Sequence, residues 1–101
     1  MPKTKSEPVC PIVNLNGSNP QDLCDLYVRA MEAVAAAAEA VSQAYPHGRD
    51  YQLNPPGDLA RATTEHQQRI ESLALVHDEL ELVATNIVDQ IAERDTRRRG
   101  R

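Results

Sequence analysis

The sequence predicts an all-α protein: an antiparallel helical hairpin with an extended N-terminal arm, packing into a homo-oligomeric helical bundle. Three observations lead there. Apolar residues recur at alternating steps of four and three through two long segments, which lines one face of a helix. The breakers between those segments are grouped from Pro46 to Gly57. Only three residues are aromatic, all Tyr, while Ala, Leu and Val abound, a composition that suits close-packed helices better than a sheet. A chain of 101 residues is one domain at most.

Residues 1–18 read as an extended arm, because Pro2, Pro8, Pro11 and the turn-like Asn16-Gly17 exclude a helix. Val9, Ile12, Val13 and Leu15 give this arm enough apolar surface to dock on something. The first helix is expected over 19–45. Ser18 or Asn19 caps it, Pro20 suits its first turn, and Asp22 favours the positive end of its dipole. Its seam runs through Leu23, Tyr27, Ala30, Val34, Ala37, Val41 and Ala44, with Asp25, Arg29, Glu32, Glu39 and Gln43 opposite in solvent. Cys24 is expected as a small core hydrophobe. Pro46 and Gly48 end the helix near Tyr45, and a loop follows over 46–54.

The second helix is expected over 55–95, with Asn54 or Asp58 as cap and a basic tail over 96–101. Its seam is Leu59, Thr63, His66, Ile70, Leu73, His77, Leu80, Ala84, Ile87 and Ile91. Being longer than its partner, it needs further cover around Val83, Ile87, Val88 and Ile91. The arm residues Ile12, Val13 and Leu15 are placed to supply part of that cover. A second mismatch is angular. At about 100° per residue, Leu75 and Leu82 fall roughly opposite Leu73 and Leu80. With Val76 and Val83 they make LALVHDELELVA apolar nearly all round, and such a helix is usually buried on every side. Leu75, Val76, Leu82 and Val83 are therefore the expected homo-oligomer interface.

Charge is unevenly spread. Residues 6–93 hold four Arg against fourteen Asp and Glu, a net of −10, whereas residues 94–101 hold five Arg and Asp95. The acidic body disfavours nucleic acid. The tail TRRRGR is either a solubilising end or a contact for phosphate or for the acidic flank of a protein partner. No transmembrane stretch and no signal-peptide pattern is present, and the two cysteines form no zinc set, so a reducing, cytoplasmic setting without membrane contact is expected.

Catalysis is not expected, since GxSxG, HExxH, P-loop and GxGxxG patterns are all missing. No cofactor or metal is expected either. His66 and His77 stand eleven positions apart on one helix, about 16 Å by its rise, too far to share an ion within one chain. Both read as seam residues that pack on the neighbouring helix.

The polar chemistry is concentrated in the loop YPHGRDYQLN. Arg49 offers a planar fork for phosphate or carboxylate, Tyr51 a ring face and hydroxyl, His47 a titratable ring, and Asp50 a carboxylate. Two accounts stand side by side. In one, His47, Arg49, Asp50 and Tyr51 hold a small anionic ligand such as a nucleotide. In the other, Arg49 pairs with Asp50 or Asp58, Tyr51 folds over the hairpin tip, and Asn54 serves as a cap.

Leu15-Asn16-Gly17 precedes the first helix, Gly48-Arg49-Asp50-Tyr51 lies in the loop, and Ala60-Arg61 with Glu65-His66 lies in the second helix, and the three occur together in this order. Their combination resembles the pattern of small uncharacterised helical-hairpin proteins of tailed phages and prophages. That resemblance implies a phage-related setting, hence the host cytoplasm, and supplies no mechanism. The functional expectation is a non-catalytic, self-associating assembly or protein-interaction module. The alternative is an oligomeric protein that sequesters a small anionic ligand, such as a cyclic nucleotide immune signal, in an anti-defence role.

Overall fold

The computed structural model describes residues 7–100. Two helices pack against each other: α1, Pro20–Gln43, and α2, Asp58–Arg99, with a short 3-10 turn, Gly48–Asp50, between them. No strand occurs among the described residues. The chain divides into two units, Met1–Glu32 with Asp78–Arg101, and Ala33–His77.

The first unit holds the apolar core. Cys24 of α1 meets Val83, Ala84 and Ile87 of α2, and Leu23, Tyr27, Met31 and Ile91 close around them. Cys24 and Ala84 are small enough for the two backbones to approach, and the Cys24 thiol points at the Ala84 carbonyl oxygen, 4.0 Å away. Cys24 is the small core residue that its sequence context predicts. Val83 departs from expectation. It is buried, at 5% exposure, and so is withdrawn from the outward-facing surface on which Leu82 stands. The reason is helical phase: Val83 lies one turn before Ile87 and shares its inward face, while Leu82 lies about 100° away.

Asn19 caps α1. Its side-chain Oδ1 accepts the backbone N–H of Gln21 at 2.9 Å and of Asp22 at 3.2 Å, which occupies two of the amides left free at a helix start. Before it the chain turns: the Asn14 side chain accepts the Asn16 N–H, and the Gly17 N–H reaches the Asn14 carbonyl oxygen.

The arm covers the core through every third residue. Cys10 and Val13 pack against it, whereas Val9, Ile12 and Leu15 are 95%, 83% and 91% exposed. Of the three arm residues expected to cover α2, only Val13 does so; Ile12 and Leu15 face solvent. Extended chain held by Pro8 and Pro11 cannot turn adjacent side chains to the same side, so Val13 and Ile12 must diverge.

What holds the arm is Gln90. Its Oε1 accepts the Val13 N–H at 2.9 Å, and its Nε2 donates to the Pro11 carbonyl at 2.8 Å and to Asn86 Oδ1 at 2.7 Å. One side-chain amide thus satisfies two main-chain groups of the arm. Gln90→Leu keeps the shape and strands both groups, so a loss of about 1 to 3 kcal/mol is expected. Hydrogen exchange at the Val13 amide should quicken in the variant; unchanged protection there would mean that Cys10 and Val13 hold the arm by packing alone.

In the second unit α1 ends at Gln43, two residues before its expected end at Tyr45. Pro46 acts through the residue preceding it, which it disfavours in helical conformation, so Tyr45 is already outside the helix. The inward stripe of this part of α1 is Val34, Ala38 and Val41, with Ala37 in solvent, so the strict four-three seam drifts as a helix of 3.6 residues per turn must. Facing it on α2 are Ala62, Thr63, His66, Ile70 and Leu73.

α2 begins at Asp58, three residues after its expected start at Pro55. Gly57 adopts φ +95°, a left-handed conformation that ends any right-handed run, and Pro55 to Gly57 form a turn instead. Asn54 does not cap the amides; its Nδ2 donates to Asp58 Oδ2 at 3.1 Å. At the other end α2 continues through the expected tail to Arg99. No breaker precedes Gly100, cations favour the carboxyl end of the dipole, and Arg97 pairs with Glu93 at 2.8 Å.

Candidate functional site

The loop begins with extended His47, after which Asp50 and Tyr51 donate their N–H groups to the carbonyls of His47 and Gly48, both at 3.0 Å, closing the 3-10 turn. A further bond from Asn54 N–H to the Tyr51 carbonyl carries the chain toward α2. With three residues per turn, successive side chains leave a 3-10 turn about 120° apart. This spreads the four expected ligand residues rather than gathering them.

Tyr51 lines a groove, an open depression of about 200 Å³ completed by Asn54, Asp58, Arg61, Ala62 and Glu65. His47 lies elsewhere, its ring 6.2 Å from Tyr45 in an edge-on arrangement. Arg49 and Asp50 are exposed, and Arg49 makes no ion pair or hydrogen bond among the described residues, so the expected pairing with Asp50 or Asp58 is not found. The groove holds Asp58 and Glu65 against Arg61, a balance that does not attract an anion by itself. Asp58, Arg61, Ala62 and Glu65 recur at helical spacing, and that periodicity is the signal from which this groove could have been read.

Tyr45 organises the region instead. Besides His47 it meets the ring of His66, edge-on at 5.5 Å between centroids, and His66 is 5% exposed. His66 is therefore the packed seam residue that its position in the four-three pattern predicts. It is also the one buried residue between Ala33 and His77, where no hydrophobic side chain is buried.

Two further depressions are among those formed by the described residues. One, of about 200 Å³, lies between the start of α1 and the end of α2, lined by Asn19, Pro20, Gln21, Ile91, Arg94, Asp95 and Arg98. The α1 amides nearest to it are already taken by Asn19. The other is a wider groove of about 540 Å³ along α2, lined by Glu65, Gln68, Arg69, Ser72 and Leu73.

Of the four expected interface residues, three are open. Leu75 is 39% exposed and Val76 42% in the second unit, and Leu82 is 51% exposed in the first. None of the helices among the described residues is long and apolar enough to cross a membrane. Compared with family models, curated proteins and solved structures, the chain finds no match.

Proposed function

We propose that this chain is a non-catalytic, self-associating helical module that acts in assembly or protein interaction, and that its subunits meet through Leu75, Val76 and Leu82 on α2. One observation carries this: the protomer is short of interior. Among the described residues its buried hydrophobic core is four, Cys24, Val83, Ala84 and Ile87, and the unit Ala33–His77 adds none. The accessible surface is 8113 Å², where about 5,700 Å² is expected for a folded monomer of this mass. The seven terminal residues outside the described range can account for at most about 1,200 Å² of that, about half of the excess. Stable protein interfaces bury on the order of 800 Å² per partner, so the surplus suffices for one. The Arg-rich end of α2 is the proposed contact for a further, acidic protein partner, and the resemblance of the Leu15–Gly17 and Gly48–Tyr51 motifs to those of phage hairpin proteins suggests a phage-related setting.

Light scattering on the eluting protein, from about 1 to 100 μM, tests the core of this reading. A mass of two or more chains is expected. A single chain of 11.2 kDa throughout that range would overturn it.

A second reading, sequestration of a small anionic ligand, draws on the Tyr51 groove with the unpaired Arg49 nearby in sequence. A thermal-shift panel of mono-, di- and cyclic nucleotides tests it. A ligand at 100 times its Kd would stabilise the fold by about 2.7 kcal/mol, and Arg49→Ala should abolish the shift. No shift with any nucleotide removes this reading.

A further inference from the structure

Self-association leaves open which way the subunits run, and the charges of α2 decide it. On a helix, positions seven apart return to within about 20° of each other. Gln68, Leu75, Leu82 and Asp89 therefore form one row, with Thr64, Glu71, Asn86 and Glu93 in the same band, and all eight are exposed. Leu75 and Leu82 are the only large apolar residues of the row, placed where two copies would need them.

In a parallel, in-register pair every side chain of this row meets its own copy. Glu71 would face Glu71, Asp89 face Asp89, Glu93 face Glu93, and the ends carrying Arg97, Arg98 and Arg99 would lie together. Like charges held side by side repel each other even in water. The antiparallel pair with Leu75 against Leu82 of the second copy removes these clashes. Moving outward, Glu71, four before Leu75, meets Asn86, four after Leu82. Asp89, seven after Leu82, meets Gln68, seven before Leu75, and Glu93 meets Thr64. Glu71 and Asp89 each gain a neutral amide donor, Glu93 meets an uncharged residue whose hydroxyl donates to its own Ala60 carbonyl, and the Arg-rich ends point in opposite directions. Glu79 with Asp78 of the second copy is the remaining like-charge meeting beside the axis, and those residues face their own copies in the parallel pair as well.

We infer that α2 packs antiparallel on α2 of a second copy across a two-fold axis, with Leu75 of each chain against Leu82 of the other. Such an interface is isologous: the same surface serves both subunits and closes the assembly at that face. This pairing rests on the self-association proposed above and specifies its geometry.

Disulfide trapping tests it in a Cys10→Ser background, with Cys24 left in place because the core covers it. Leu75→Cys and Leu82→Cys proteins are prepared separately, checked for helicity by circular dichroism, then mixed, briefly unfolded, refolded and oxidised with diamide. In the antiparallel pair the two Leu75 positions lie seven residues apart along the axis, about 10.5 Å, beyond the roughly 7 Å over which Cα atoms can be bridged. The mixture should therefore cross-link several-fold faster than either protein alone. Rapid cross-linking of Leu75→Cys with itself means a parallel pair and overturns the inference. A dimer by light scattering that cross-links in no combination places the interface elsewhere and overturns it too. In both cases self-association survives; a wild type that is monomeric by light scattering defeats both. Should Cys10→Ser lose helicity, the same mixing is done with Cys10 present and the unsubstituted protein as control, read by the same criteria.

Discussion

Ile87→Ala is expected to lower the unfolding free energy by about 2 to 5 kcal/mol, the range for emptying a fully enclosed aliphatic site. Ile87 has no exposed surface at all, the only large side chain among the described residues so enclosed, and it stands at the centre of a core of four. A large interior can relax around a cavity by shifting several neighbours. Here the neighbours are Cys24, Val83 and Ala84, small residues fixed by their helices, with the arm as the lid. Collapse is limited, which argues for the upper half of the range. Small domains hold only about 5 to 15 kcal/mol in total, so the loss is a large share. Urea unfolding followed by circular dichroism at one fixed protein concentration measures it, concentration being held because association adds to apparent stability. Val88→Ala, next in sequence and 49% exposed, is the control. Equal losses at the two positions would show that the interior is not centred on Ile87.

Leu75→Glu/Leu82→Glu should convert the assembly into single chains while leaving the helices formed. Both leucines lie on the exposed side of α2, so a carboxylate at either stays hydrated in the protomer. In a two-fold pair each double variant brings four carboxylates into the contact. If each loses at least about 1 kcal/mol through desolvation and repulsion, association weakens by about 4 kcal/mol, roughly a thousandfold. Light scattering should then report one chain where the wild type reports more, with the circular dichroism spectrum of helices retained. Loss of helicity in place of dissociation would assign these leucines to packing within the protomer. Retention of the wild-type mass would place the interface on other residues, such as Leu26, Val88 or the arm's Ile12 and Leu15.

Much of the fold was legible because the signals were local. The cap at Asn19, the stop before Pro46 and the small core residue Cys24 each follow from neighbours within a few positions. Element ends shifted where a second local rule outweighed the first: Pro46 ends α1 through Tyr45, and the left-handed Gly57 delays α2 even though Pro55 and Pro56 suit a first turn. Which loop residues come together was not legible, for a geometric reason. His47, Arg49, Asp50 and Tyr51 are close in sequence, but a 3-10 turn sends consecutive side chains in different directions, so closeness along the chain did not become closeness in space. Arg61 and Glu65, which do share a groove with Tyr51, sit on helix positions that read as ordinary solvated surface.

Two long helices, their approximate limits, the apolar excess on α2 and the separation of acidic body from basic end were determined by the sequence itself, since propensity, breakers and charge are properties of residues and their near neighbours. Only the tertiary structure decided that Val13 and not Ile12 or Leu15 covers the core, and that Gln90 holds the arm. The partners of those residues lie 60 to 79 positions away along the chain, as in the contacts of Cys24 with Ala84 and of Gln90 with Val13 and Pro11. A pairing at that distance depends on the phase of two packed helices, to which a rule acting within one helical turn has no access.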